Sequence, residues 1–206
     1  MGPAPKPDAP PRMTRDAFRR WAEEQEGRWE LVEGQPVAQA AERLGHVRLK
    51  GAIYRELVAA LEAGGADCEA LTDGATVEVG EDTDHIPDAV VSCGGSGDDD
   101  RIAAPNPVIV VEVLSPGSRA RDMTVKLTNY FRVPGIAHYL IFSMDQRVVV
   151  HHQRQPDGTL RTAIAHGGNL DLAPPGITLD LDRIFARAGL VDDRQAERRV
   201  DGGRGR

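Results

Sequence analysis

The sequence has few cysteines, no long apolar run and no excess of positive charge, and each scarcity narrows the class of protein. The two cysteines, Cys68 and Cys93, lack metal-ligand spacing, which predicts free thiols in a reduced, cytoplasmic protein. No run approaches the roughly 18 apolar residues of a membrane span, and the opening MGPAPKPDAPPR lacks the apolar centre of a signal peptide. A net charge of -7 argues against a basic surface for nonspecific DNA binding, but it permits a local basic groove beside an acidic metal site.

The composition suits one globular domain with flexible ends, since 40% of the 206 residues are hydrophobic and 28% are charged. Residues 1–12 contain five prolines and predict a disordered arm. Residues 191–206 mix charge with glycine and predict a disordered tail. The ordered domain is therefore expected over residues 13–190.

Helical and strand patterns alternate within that domain. Thr14 is a cap for a short helix, RWELVEGQPV predicts a hairpin, and an apolar stripe predicts a long helix over residues 42–63 that ends at Gly64-Gly65. The later segments predict strands at CEAL, ATVEV, PDAVV, VIVVEVL, AHYLIFS, RVVVHHQR and TLRTAIA, with helices over residues 118–132 and at the end of the domain. This order predicts an α/β fold, a mixed β-sheet flanked by helices.

Glu112 interrupts the otherwise apolar strand Val108–Leu114. A carboxylate buried without a partner costs several kcal/mol or shifts its pKa. Glu112 must therefore lie at an edge, pair with a cation or hold a metal. In a strand it shares a face with Val110 and Leu114.

Asp88 opens a second apolar strand, PDAVV. If that strand neighbours Val108–Leu114, Asp88 and Glu112 converge, and two carboxylates with a backbone carbonyl suit Mg²⁺ or Mn²⁺. The alternative for Asp88 alone is a turn residue at the start of a strand.

The helix after this strand carries Asp122, Lys126 and Tyr130 at intervals of four residues, so the three share one face. Lys126 can reach Glu112, and a lysine beside a phosphodiester orients or helps deprotonate water and neutralises developing charge. Taken alone, Asp122 and Lys126 would be a surface ion pair, and Tyr130 a packing residue with a useful hydroxyl.

The segments RWELVEGQPV, PDAVV and VEVLSPGSRARDMTVKLTNY resemble the Uma family of restriction-endonuclease-like proteins, within the PD-(D/E)XK nuclease superfamily. The resemblance implies that Asp88 is the aspartate of the PD element and Glu112 the acid of the (D/E)XK element. Leu114 stands where the superfamily places its lysine, so Lys126 is implied as the replacement. Glu30 is implied as an accessory acid near the metal; an exposed strand glutamate is the alternative.

Five further residues have weaker assignments. Arg119 and Arg121 flank the start of the helix and predict phosphate contacts, with a solvated helix start as the equal alternative. His46 opens the long helix and either faces the site or is a capping or surface histidine. His151 and His152 alternate across a strand, which excludes one shared zinc ion and predicts surface positions.

Two functions follow from these residues. The first is a magnesium-dependent endonuclease, with Mn²⁺ as a possible substitute, in which Asp88 and Glu112 hold the metal and Glu30 and Lys126 assist. Its expected partners are DNA more than RNA and, by the resemblance, a second copy of the chain in a homodimer; no membrane is expected. The second is a catalytically silent nuclease fold that serves as a nucleic-acid-binding or oligomeric interaction module.

Overall fold

The computed structural model describes residues 11–95, 100–114 and 121–190, with the side chains of 121 and 122 excepted. The predicted arm and tail therefore lie almost wholly outside the described residues. The helices are α1 Arg15–Ala22, α2 Leu44–Gly64, α3 Arg121–Tyr130 and α4 Leu181–Arg187. The strands are β1 Arg28–Val32, β2 Gln35–Gln39, β3 Cys68–Thr72, β4 Val77–Gly80, β5 Thr83–His85, β6 Ala89–Cys93, β7 Pro107–Leu114, β8 His138–Ser143, β9 Val148–Arg154, β10 Leu160–Ala165, β11 Asn169–Leu172 and β12 Ile177–Asp180.

A six-stranded mixed sheet in the order β10-β9-β8-β7-β6-β3 forms the centre of the fold. Its only parallel pair in the described chain is β7 with β8, and the connection between them contains α3. Because helices and a second sheet cover the two faces, β7 and β8 are nearly continuous apolar runs. The predicted α/β class, a mixed sheet with flanking helices in a single domain, is confirmed.

The two faces of this sheet bury different sets of side chains. Ile109, Val111 and Val113 of β7 pack with α2, α4 and the β11–β12 hairpin. Val110 and Leu114 pack on the opposite face with residues of α3 and β4. Alternation along β7 therefore directs Glu112 toward α3, as the period of two predicts.

A four-stranded sheet in the order β2-β1-β5-β4 lies beside this second face. The predicted hairpin is present as β1 and β2, and Glu33 in its turn has a φ of 49°. The short strand β5 was not predicted, and neither was the β11–β12 hairpin. Both are three or four residues long, which leaves too few positions for a strand period to emerge.

The prediction of free thiols is wrong, because Cys68 and Cys93 form a disulfide. The two residues are direct partners in the antiparallel pairing of β3 with β6, so their side chains lie side by side on one face. Spacing along the chain could not reveal this, since the pairing depends on the sheet register. The cytoplasmic location was expected because the thiols were predicted to be free, so the disulfide removes that argument.

The prediction of a surface position for His151 is also wrong. His151 is buried, and its Nε2 lies 2.9 Å from Nδ1 of His138 on the neighbouring strand β8. The alternation itself is correct, since His152 points to the other face and contacts Thr162. β9 is an inner strand of the six-stranded sheet, and His151 takes the buried face while His152 is only partly buried.

Candidate active site

Glu112 lies in β7, the inner strand that the apolar run predicted. Its Oε1 accepts hydrogen bonds from Nζ of Lys126 at 2.8 Å and from the hydroxyl of Tyr130 at 2.6 Å. Of the three possibilities for Glu112, the described contacts therefore show that it pairs with a cation. Both of these hydrogen bonds go to Oε1, and the described hydrogen bonds include none to Oε2.

Asp88 precedes β6, which pairs with β7 in antiparallel register. Its backbone N–H donates to the carbonyl of Val111 at 3.0 Å, and its Oδ2 accepts from the N–H of Val113 at 2.6 Å. These two bonds clamp Asp88 on either side of Glu112 along β7. The expected convergence of the two acidic residues on neighbouring strands is present.

Glu30 reaches the same place from the second sheet. It is 3% exposed, and its Oε1 accepts from the N–H of Ile86 at 2.8 Å and from Nζ of Lys126 at 3.2 Å. The backbone of the segment between β5 and β6 thus fixes the Glu30 carboxylate. The alternative of an exposed strand glutamate does not hold.

Lys126 and Tyr130 come from one face of α3, one turn apart, as the spacing predicted. Burial opposes the charged lysine, yet Glu112 and Glu30 outweigh it and raise the pKa of Lys126 above its ordinary value. Burial, followed by Glu112, also raises the pKa of Tyr130, so its hydroxyl keeps its proton and donates. Lys126 is therefore an ammonium held between two carboxylates.

The charged residues of the cluster shift the pKa of the Glu112 carboxyl in opposite directions. Burial raises its pKa most, Lys126 lowers it, and the charges of Asp88 and Glu30 raise it again, to about 7. Asp88, Glu112 and Glu30 bring three negative charges to a poorly hydrated place, and Lys126 and Lys50 offset only part of them, since Lys50 is shared with Glu42 and Asp73. An added cation would relieve that repulsion.

His46 lies in the first turn of α2, and it is buried rather than on the surface. Its Nε2 lies 2.7 Å from the carbonyl of Val113 and 3.9 Å from Oδ2 of Asp88. Its Nδ1 is 3.0 Å from Oε2 of Glu42, without the angle of a good hydrogen bond. His46 therefore faces the site, and the helix is capped at Arg43 without a side-chain bond.

The sequence did not single out Lys50, although the structure brings it to the same centre. One turn after His46 on α2, its Nζ contacts Oδ1 of Asp88 at 3.0 Å, Asp73 at 2.6 Å and Glu42 at 2.8 Å. The only available signal was its i, i+4 spacing from His46. Its three partners come from three separate segments, which a local pattern does not connect.

His85 and Asn129 form a second unpredicted contact behind the lysine. Nδ2 of Asn129 lies 3.1 Å from Nε2 of His85, and the ring of His85 lies 5.3 Å from that of Tyr130. Burial, with Lys126 adding to it, lowers the pKa of His85 to about 3. His85 is therefore a neutral packing partner of α3.

The two predicted phosphate contacts lie at the limit of the described chain. Arg119 lies outside the described residues. Arg121 is the first residue of α3, and its side chain lies outside them. The prediction for both arginines stays a prediction.

The donor set fits a hard divalent cation. The carboxylates of Asp88 and Glu112 come from neighbouring strands, and the carbonyl of Val113, 2.7 Å from Nε2 of His46, directly follows Glu112 in the chain, so all three groups offer oxygen atoms. In the described part of the chain, no three histidine, cysteine, aspartate or glutamate side chains already converge as a complete metal cage. The backbone carbonyl and solvent would therefore have to complete the coordination.

Comparison with known proteins agrees with the fold and the arrangement of these residues. The mixed sheet with acids at adjacent strand ends and a lysine from the next helix defines a restriction-endonuclease-like class of fold. The family model Uma2, described as "Putative restriction endonuclease", matches residues 15–182, and the chain belongs to this family. The predicted resemblance is confirmed.

Two known proteins are similar to this chain over most of its length. A crystal structure described as a putative nuclease belonging to DUF820, from Anabaena variabilis, superposes with a TM-score of 0.68 at 16% identity, and covers 85% of this chain and 99% of that one. The Synechocystis protein slr1290 is 25% identical over an alignment of 189 residues, and the match covers 88% of this chain and 96% of the relative. The first of these likenesses establishes the fold.

Proposed function

We propose that this protein is a metal-dependent nuclease that hydrolyses phosphodiester bonds in nucleic acid. The observation that carries the proposal is the Lys126 ammonium, 2.8 Å from Glu112 and 3.2 Å from Glu30, at the end of the strand beside Asp88. A surface ion pair would not bury a lysine between two carboxylates at a strand end. Such an arrangement suits charge developing on a phosphate.

Lys126 acts as a cation in this proposal. Glu112 and Glu30 raise its pKa, which favours the protonated form and argues against a lysine that removes a proton from water. The ammonium would orient the attacking water and offset the negative charge that grows on the phosphorane. Tyr130, whose hydroxyl is buried and donates to Glu112, would act by holding that carboxylate in place.

Asp88 and Glu112 would hold Mg²⁺, or Mn²⁺ in its place, with the carbonyl of Val113 as a further oxygen donor. When bound, the metal supplies Lewis acidity and lowers the pKa of bound water. Glu30 would keep Lys126 oriented toward the site through their shared contact.

DNA is the substrate that we propose, and a homodimer is the proposed assembly. In the described part of the chain no helix has both the length and the apolar character to cross a bilayer. A cytoplasmic location stays part of the proposal, and the disulfide counts against it because reducing compartments keep thiols unpaired.

The test is single-turnover cleavage of DNA and RNA by Lys126→Ala beside the unchanged protein, with Mg²⁺ and with Mn²⁺. We expect cleavage to fall by at least about 100-fold, in line with the loss of one charge-stabilising group, while Mn²⁺ still binds in calorimetry. Lys126→Arg should rescue poorly, because a planar guanidinium does not fill the place of an ammonium.

Arg161→Ala is the matched control, since it removes one positive charge from the exposed edge strand β10. Full cleavage by Lys126→Ala would remove Lys126 from the mechanism. Absence of cleavage in the unchanged protein, with metal and both nucleic acids present, would favour the catalytically silent module.

A further inference from the structure

Lysine is rare in this chain and is concentrated at the candidate site. The sequence has three lysines among its 25 basic residues, and the rest are arginines. Lys6 lies outside the described residues. The other two, Lys50 and Lys126, both contact carboxylates of the proposed metal centre.

The contacts of Lys50 are unusually complete for a lysine. Its Nζ lies 2.8 and 3.0 Å from the two oxygens of Glu42, 2.6 Å from Oδ2 of Asp73 and 3.0 Å from Oδ1 of Asp88. Its side chain is 10% exposed. Asp73 is shared with Arg28 at 2.9 Å, so a second cation holds that carboxylate in place.

An ammonium suits this position better than a guanidinium. It is compact, and its three N–H donors diverge from one nitrogen, which matches three carboxylates around a single point. A planar guanidinium spreads its donors over a fork and would not meet the same three partners. The use of lysine here, in a chain that otherwise uses arginine, follows from that geometry.

Asp88 is the residue that Lys50 shares with the proposed metal. Its Oδ2 is held by the N–H of Val113, and its Oδ1 faces Lys50. A divalent cation on Asp88 would stand close to the ammonium, and like charges at a few ångströms in a half-buried place repel strongly. The orientation of Asp88 does not depend on Lys50 alone, because the backbone bond to Val113 fixes it as well.

We propose that Lys50 is a built-in counter-cation, which neutralises Asp88, Glu42 and Asp73 in the metal-free protein and thereby weakens metal binding at Asp88. This inference rests on the proposed function only in one respect, which is that the metal binds at Asp88. Lys50 stabilises the fold when no metal is bound, and it keeps the affinity of the centre for divalent cations below the value that the carboxylates by themselves would give.

The test is calorimetric titration of the full chain with Mn²⁺, for the unchanged protein, Lys50→Met, Lys50→Arg and Arg161→Met. Methionine keeps the length and apolar stem of lysine without its charge. We expect Lys50→Met to bind Mn²⁺ about tenfold more tightly or better, from the removal of one nearby positive charge. Lys50→Arg, which keeps the charge but not all three contacts, should fall between Lys50→Met and the unchanged protein, and the distant control Arg161→Met should stay close to the unchanged protein.

Thermal unfolding gives the second readout. Without metal, Lys50→Met should melt below the unchanged protein, because three carboxylates lose their shared cation, and Mn²⁺ should raise its melting temperature by more than it raises that of the unchanged protein. If Lys50→Met is unfolded without metal, Mn²⁺ must restore its folded state for the proposal to stand. Equal or weaker Mn²⁺ affinity in Lys50→Met, no restoration by Mn²⁺, or no binding by any of the proteins overturns it.

Cleavage assays on the same proteins separate this inference from the proposed function. Tighter Mn²⁺ binding by Lys50→Met without cleavage of DNA or RNA by the unchanged protein would support the counter-cation and remove the nuclease. Cleavage by the unchanged protein without tighter Mn²⁺ binding by Lys50→Met would support the nuclease and overturn the counter-cation.

Discussion

At the scale of single residues, the candidate site depends on hydrogen bonds that a sequence motif does not specify. Tyr130 is an example: its ring is fully buried, and its hydroxyl donates to Glu112 at 2.6 Å. Tyr130→Phe removes that donor and leaves a charged acceptor less satisfied. We expect the free energy of unfolding to fall by about 2 kcal/mol, measured by urea denaturation.

The matched control for this change is Tyr54→Phe, which removes a hydroxyl from a partly exposed position on α2. Its effect should stay within about 0.5 kcal/mol, as for most surface substitutions. Equal stability of Tyr130→Phe and the unchanged protein would show that the hydroxyl contributes nothing to holding Glu112.

Glu112 itself gives a prediction in pH. Burial raises the pKa of its carboxyl, Lys126 lowers it, and the charges of Asp88 and Glu30 raise it further, so that it moves from 4.5 to about 7. The folded protein therefore binds this proton more tightly than the unfolded chain, so the stability from this group is present below pH 4.5 and is lost as the pH rises through about 7. Metal-free Glu112→Gln lacks this dependence.

We expect Glu112→Gln to melt at or above the temperature of the unchanged protein on the alkaline side of this window, and to lose that advantage toward its acidic side. Thermal unfolding of both proteins across the window measures the difference. A large drop in melting temperature for the variant at alkaline pH would make Glu112 chiefly a structural partner of Lys126.

At the scale of elements, α3 is held at its C-terminal end by one arginine of β9. Arg154 donates to the carbonyls of Phe131, Val133 and Ile136 at 2.8 to 3.1 Å. These carbonyls belong to the turn that follows the helix, where the bonds from Arg154 add to the bond from the N–H of Ile136 to the carbonyl of Val133. Since α3 carries both Lys126 and Tyr130, Arg154 positions the site without touching it.

Arg154→Met should therefore lower the free energy of unfolding by roughly 2 to 3 kcal/mol and reduce cleavage, whereas Arg161→Met should change neither. Urea denaturation and the single-turnover assay supply the two measurements. Unaltered stability in Arg154→Met would mean that the turn after α3 holds its own shape.

At the scale of the whole molecule, the Cys68–Cys93 disulfide closes a segment of 25 residues between β3 and β6. It constrains the unfolded chain, so its removal in a Cys68→Ala, Cys93→Ala double variant should cost about 3 kcal/mol. Denaturation of the double variant and of the oxidised and reduced natural protein tests this. Identical stability of the oxidised and reduced forms would contradict it.

The sequence by itself determined the fold class and the faces on which the candidate acids, Lys126 and Tyr130 lie. The apolar strand around Glu112, the PD start of β6 and the four-residue spacing of Lys126 and Tyr130 are local patterns, and their periods predict which side chains share a face. Local capping and turn residues likewise determined α1, the first hairpin and the end of α2 at Gly65, whose φ is 61°.

Tertiary structure alone decided which of these residues meet. The disulfide depends on the register of β3 with β6, and the burial of His151 depends on the inner position of β9. The contacts of Lys50 join Glu42, which is near in the chain, to Asp73 and Asp88 from later segments. Such contacts depend on how strands are ordered and how helices cross them. A single sequence carries no local period that encodes those relations, so the partner of each charge, and with it the electrostatics of the site, came only from the fold.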